Sequence, residues 1–303
     1  MKHRLTVLAA TDLSGMAFLA VRRAAAIARA RGARLELLHV IDSFSTAWAD
    51  AHLASSPNSS PLTLPAEEGL TAIAAAVRTE FGLRANGVVV DGKPAVEIAA
   101  RSEAVDADLV VLGARGMNPG LTPLLGTTAQ RVLARSRRPV LLVKRAGASD
   151  QMNTPYRHIV VGSDLSPDAA AATHCARALF PDATVTLLHA YEGLCQAEPE
   201  QPPVETDEAG VGGTEPVDRR RELEVFAEKT RNTDAFRVVR HGSAARRICE
   251  YGRDSAADLI VVGSKRTSLR RRLAIGGVSM DTIVAADCDV LLARTPPNIF
   301  LNR

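Results

Sequence analysis

Backbone amides able to hold an anion are the first chemistry this chain offers. Residues Asp108 to Thr127 read DLVVLGARGMNPGLTPLLGT. A short apolar run, Leu109 to Leu112, ends at Gly113. A Gly-rich turn follows at Gly116, and Gly126 with Thr127 and Thr128 opens a helical segment. N–H groups at such a turn and at a helix N-terminus point outward without an intrahelical partner, and the helix dipole adds partial positive charge there. Gly116 lets the backbone approach a phosphate or take a positive φ, and Thr127 adds a hydroxyl. Arg115, inside the loop, reads either as a phosphate contact or as a solvated side chain. Thr11 and Asp12 follow the first apolar run. A carboxylate facing a phosphate site is placed to hydrogen-bond a ribose hydroxyl, an adenine or a bound cation.

Other chemistries find less support. There is no GxxxxGK[ST], no GxGxxG after the first strand and no GxSxG. His39 and His189 sit at equivalent places without Cys or carboxylate partners at ligand spacing, so they read as core or rim residues. Cys175, Cys195, Cys249 and Cys288 all fall in the second half without CxxC or metal-like spacing, and read as reduced, mostly buried thiols. No nucleophile stands beside a base near the loop, and Asp12 alone does not make a general base. No catalytic residue and no metal ligand is therefore assigned.

The elements that must position this loop come in two sets. At 303 residues the chain has room for two ordinary domains. LTVLAATDLS (Leu5 to Ser14) returns as HIVVGSDLSP (His158 to Pro167), and LELLHV (Leu35 to Val40) returns as VTLLHA (Val185 to Ala190). VVVDGKPAVEIAA (Val88 to Ala100) answers to VVRHGSAARRICE, ADLVVLGARG to ADLIVVGSKR, and PVLLV at Pro139 to DVLLA at Asp289. Two copies of one domain follow, 1–146 and 155–297, joined near Ala146 to Pro155. Short β-branched or Leu-rich runs alternate with helical patterns in each, the signal of βαβ units and a parallel sheet. Strands are expected near 5–10, 34–40, 87–90, 108–113 and 140–143. Ser14 caps the first helix, which ends at Gly32, and Ser166-Pro167 starts its twin. Ser43 to Pro65 and the acidic Glu192 to Asp218 read as loops leading into helices. In a parallel sheet the ligand lies beyond the strands' carboxyl ends, where the strand order reverses. Asp12 and the glycine loop face each other if strands one and four are neighbours.

Charge and composition narrow the ligand. The net charge is +3, too small to imply nucleic acid. Residues 1–150 carry 18 Lys+Arg against 13 Asp+Glu, net +5, and the remainder is net −2. A mildly basic first half with few aromatics suits a small anion better than stacked bases. Asp12 interrupts the N-terminal apolar run too early for a signal peptide, and no run approaches membrane-spanning length. The expectation is a cytoplasmic protein with neither membrane nor nucleic-acid partners.

The spacing Gly113-x2-Gly116-x9-Gly126-Thr127 resembles the ATP-site pattern of universal stress proteins in full. ATDLS, LLHV and DGKPAVEI are also similar to this family, so the resemblance covers most of both copies. It implies two tandem α/β domains of the Rossmann-like, adenine nucleotide alpha hydrolase-like type, each a five-stranded parallel sheet of order 3-2-1-4-5 flanked by helices. Thr11, Asp12 and the Val40 backbone would lie near adenine and ribose, and Gly113, Arg115, Gly116, Gly126, Thr127 and Thr128 near ribose and phosphates of ATP, with or without Mg. It also implies pairing through the last strands, Val140 to Val143 with Val290 to Ala293, as an internal pseudo-dimer, and leaves room for a homodimer and an unidentified protein partner. The second copy departs from the pattern. Arg266 stands where the second glycine belongs, and Gly277 replaces the hydroxyl residue. The expected function is a non-catalytic, ATP-binding stress-response protein with a degenerate second domain. A nucleotide-free interaction scaffold and a slow ATP hydrolase are the alternatives.

Overall fold

A computed structural model describes residues 4–42, 63–115, 125–144, 156–192, 215–264 and 275–294. Gly116, Cys195, Arg266, the junction at Ala146 to Pro155 and most of the two long loops lie outside the described residues. The first half runs β1 (Thr6–Thr11), α1 (Gly15–Arg31), β2 (Arg34–Ile41), α2 (Thr63–Phe81), β3 (Ala85–Asp91), α3 (Pro94–Ala104), β4 (Leu109–Gly113), α4 (Thr127–Arg135) and β5 (Val140–Val143). The second half repeats it as β6 (His158–Ser163), α5 (Pro167–Leu179), β7 (Thr184–Tyr191), α6 (Glu215–Lys229), β8 (Phe236–His241), α7 (Ala244–Asp254), β9 (Leu259–Gly263), α8 (Gly277–Ala285) and β10 (Asp289–Ala293).

Local chemistry explains where these elements start and stop. The Ser14 side chain accepts from the Ala17 N–H and Gly32 ends α1 at φ 59°, a left-handed position that glycine adopts without steric cost. Ser166 caps α5 in the same way, with Pro167 in the first turn. Two boundaries differ from expectation. Thr11 is the last residue of β1 rather than the start of the loop, because it still pairs with His39 of β2. Helix α2 begins at Thr63, so Pro65 lies in its first turn; proline is tolerated there, where no intrahelical N–H bond is required.

Each half has the strand order expected, and the halves share one ten-stranded sheet, β3-β2-β1-β4-β5-β10-β9-β6-β7-β8. Pairing is parallel within each half. At the centre β5 and β10 pair antiparallel, with Val290 opposite Leu142 and Leu292 opposite Val140. Side chains alternate between two apolar layers. Leu109, Val111, Leu141 and Leu291 join α1, α2 and α5 on one face, while Val110, Leu112, Leu142 and Leu292 meet α3, α4, α7 and α8 on the other. Both layers are continuous across the seam. Leu141, Leu142, Leu291 and Leu292 are fully buried, and burying one such side chain is worth about 1.5–3 kcal/mol relative to leaving it in water.

A buried polar cluster also crosses the seam. Tyr156 donates its hydroxyl to Asp289 Oδ2 at 2.6 Å, the Lys144 backbone N–H donates to Asp289 Oδ1 at 2.8 Å, and the Arg23 guanidinium lies 4.5 Å over the Tyr156 ring. Burial, with the Asp289 carboxylate alongside, raises the Tyr156 phenol well above its ordinary value. No helix among the described residues is long and apolar enough to cross a membrane.

Candidate functional site

In each half the strand order reverses between the first and fourth strands, and there the ladder opens early. The pairing of β1 with β4 ends at Ala9–Val111, although the strands run on to Thr11 and Gly113. The pairing of β6 with β9 likewise ends at Val161–Val261, short of Ser163 and Gly263. The parted strand ends make a crevice at the switch point.

The turn after β1 forms one wall. Thr11 Oγ1 accepts from the Leu13 N–H at 3.0 Å, and Asp12 Oδ1 accepts from the Ser14 N–H at 3.1 Å and from the Ser14 hydroxyl at 2.5 Å. These bonds hold Leu13 at φ 63°, a conformation disfavoured for a branched side chain. Leu165 in the second half has φ 62°, held by Ser163 Oγ at 3.1 Å. Such strain persists only where the surroundings over-determine it. His39 Nδ1 lies 2.9 Å from Thr11 O, and His189 Nδ1 lies 2.8 Å from Ser163 O. With a carbonyl as the partner, that nitrogen must carry the proton. These histidines therefore pin the end of the first strand to the second. No group of three or more His, Cys, Asp or Glu able to hold a metal occurs among the described residues.

The opposite wall is the start of α4. The Gly126 N–H donates to Ala114 O at 2.8 Å, and the Ala114 N–H donates to Val143 O at 2.9 Å, which ties the glycine loop, the helix start and β5 together. Gly126 is the N-cap residue and supplies no side-chain cap. The first turn of α4 thus has no side-chain oxygen from its cap residue over its amides, the arrangement an anion can complete. Thr127, Thr128 and Arg115 are exposed beside it. Val40 lies one residue beyond the last β1–β2 pair and is paired with Val90 of β3 on its other side.

The second half shows how the corresponding positions converge. One cleft of about 170 Å³ is lined by Ser163, Asp164, Ala190, Gly263, Gly276, Gly277 and Val278. These are the repeat counterparts of Thr11, Asp12, Val40, Gly113, Gly126, Thr127 and Thr128. The same cleft contains residues that motif reasoning missed: Ile248, Asp168 and Ser279. Ile248 belongs to the HGSAARRI stretch, the counterpart of DGKPAVEI, so its repeat match was the available signal. It packs so closely on β6 that a Cβ on Gly162 would stand 2.6 Å from Ile248 Cδ1. A Cβ on Gly263 would stand 3.0 Å from the Asp168 carbonyl oxygen. A side chain at the first glycine of the motif in the second half would thus press on the backbone of α5, a reason for glycine that involves no ligand.

Chemically the two helix starts differ. Where α4 presents Thr127 and Thr128, α8 presents Gly277 and Val278, and a further acidic residue, Asp168, borders the cleft. The Ser279 hydroxyl is already engaged, donating to Gly263 O at 2.7 Å.

Comparison with known proteins agrees with this architecture. The model of the universal stress protein family matches residues 4–144 and again 155–294. Universal stress protein MJ0531 of Methanocaldococcus jannaschii is 30% identical over 135 residues, covering 45% of this chain and 79% of that protein. Universal stress protein MJ0577 of the same organism is 28% identical over 153 residues, covering 46% and 94%. The crystal structure of a universal stress protein from Archaeoglobus fulgidus superposes over 96% of this chain and 98% of its own with a TM-score of 0.69 at 19% identity, a likeness of fold. The chain belongs to the universal stress protein family, with two copies of the family's domain in tandem.

Proposed function

We propose that this chain is a non-catalytic, ATP-binding universal stress protein acting in the stress response, with domains at 1–146 and 155–297, nucleotide held by the first and the second a degenerate partner. The observation that carries this reading is the start of α4. It joins a helix N-terminus without a side-chain cap, a glycine loop bonded to it through Ala114, and two exposed hydroxyl residues. Gly113, Gly116, Gly126, Thr127, Thr128 and Arg115 hold ribose and phosphates in this reading, while Thr11, Asp12 and the Val40 backbone face adenine and ribose. Asp12 already accepts two bonds from Ser14 at one oxygen. The Asp12 carboxylate is the group assigned to a ribose hydroxyl or to a Mg ion accompanying ATP. In the second domain Asp168 adds negative charge and Gly277 and Val278 remove two donors, all unfavourable to a triphosphate. Bound ATP favours those loop conformations that bind it best, and so biases partner choice through differential affinity.

Isothermal titration of the full chain with ATP, together with mass spectrometry of nucleotide released from the purified protein, tests this. One equivalent of ATP per chain is expected. No binding overturns the nucleotide reading and favours a scaffold; two equivalents of similar affinity overturn the degeneracy of the second domain.

A further inference from the structure

The two residues that follow the central strands are both basic, occupy equivalent places in the repeat, and reach into the opposite half. Lys144, after β5, donates from Nζ to Ile283 O at 2.8 Å and Val284 O at 3.2 Å, and also to Ala286 O. These carbonyls close α8. Arg294, after β10, donates from Nη2 to Leu133 O in the last turn of α4. Each half thus caps the C-terminus of the other half's site helix, where carbonyls lack intrahelical partners and a cation meets the negative end of the dipole.

Helix α4 has nine residues and so spans about 13.5 Å. Its start is tied to the glycine loop by the Gly126–Ala114 bond and its end to the second domain by Arg294. Stability alone gives poor reason for this arginine. Its side chain is buried with Nε lacking a hydrogen-bond partner among the described residues, and desolvation pulls the guanidinium down to about 10. The cost of desolvating this charge offsets much of what capping Leu133 O contributes, so stability alone does not explain it.

Building on the nucleotide-site reading above, we propose that Arg294 is a positioning residue supplied by the second domain to the first domain's site. It holds the last turn of α4, and with it the aim of the amides at Gly126 and Thr127, so that nucleotide binding in the first half depends on the second.

The test compares ATP titrations of full-length wild type, Arg294→Met, Arg294→Lys and Arg177→Met, each with its denaturation midpoint. Arg177 pairs with Asn232 and Asp234 inside the second domain, away from α4. Arg294→Met is expected to weaken ATP binding about fivefold to tenfold with little change in midpoint, Arg294→Lys to recover most of that loss, and Arg177→Met to keep wild-type affinity while lowering the midpoint. Wild-type affinity in Arg294→Met, or an equal loss in Arg177→Met, overturns the proposal. Should Arg294→Met not fold, Arg294→Gln carries the same comparison. If wild type itself binds no ATP, the nucleotide reading fails separately. Amide hydrogen exchange at residues 126–130 then decides: faster exchange in the Arg294 variant supports the positioning role, and unchanged exchange overturns it.

Discussion

The two halves present nearly the same backbone at the switch point and different chemistry on it. Both begin their site helix after a glycine N-cap in extended conformation, Gly126 at ψ 145° and Gly276 at ψ 151°, with no side-chain cap. Both strain a leucine in the turn after the first strand. Yet one helix opens with two threonines, and the other with glycine and valine beside an extra acidic residue. Backbone geometry kept in both halves reports on the fold, as the close packing of Gly263 on α5 demonstrates. Side-chain donors and charges, which the fold does not need, are where the two halves differ.

The largest expected effect comes from closing the first site. Gly126→Asp places a good N-cap residue at φ −61°, ψ 145°, a conformation that suits it, and puts a carboxylate where phosphate would lie. ATP affinity should fall about 100-fold, roughly 2.7 kcal/mol, while the thermal midpoint holds or rises. Unchanged ATP affinity in titration would break the comparison, because α4 would then not be the phosphate site. The converse experiment opens the second site. Among the described residues no heavy atom lies within 4 Å of a Cβ built on Gly277, so Gly277→Thr meets no described neighbour. Combined with Val278→Thr and Asp168→Asn, it should strengthen ATP binding in the second half about tenfold, read as a second site in the titration. No gain would mean that the difference lies elsewhere, at Arg266.

The smallest effect separates the halves by pH. All four cysteines are in the second half, and burial pushes the Cys175 and Cys288 thiols up to about 12. Such a thiol stays neutral in the folded state while the unfolded one ionises near pH 9. Its contribution is therefore complete below about pH 9 and is lost as pH rises toward 12. Lys144 and Arg294, lowered by burial, act in the opposite sense, since the folded state sheds their protons first. Comparing denaturant midpoints at pH 8 and at about pH 10.5, roughly 2 units above the usual thiol value of about 8.5, isolates the thiols. Wild type should lose more stability than Cys175→Ala/Cys288→Ala, and equal losses would remove the thiols from the account.

Much of the fold was legible locally. Ser14, Gly32 and Ser166-Pro167 were readable because a cap is a contact between residues a few positions apart. The geometry of the candidate site was only partly legible. Spacing pointed to Gly113, Gly126 and Thr127, but nothing in the motif indicated that Asp12 is held by Ser14 or that Asp168 lines the second cleft. Those facts depend on how a helix start leans on a strand end.

By itself the sequence determined the repeat, the alternation of strands and helices, and the glycines and threonines at the switch point, because periodicities of 2 and 3.6 residues and short motifs are properties of neighbouring residues. Only the tertiary structure decided what crosses the seam. Arg294 meets Leu133 across 161 residues of chain, and Lys144 meets Ile283 across 139. The antiparallel register of β5 and β10 sets both encounters. Contacts so distant in sequence leave no local pattern, since they follow from where buried surfaces close rather than from the propensity of any segment.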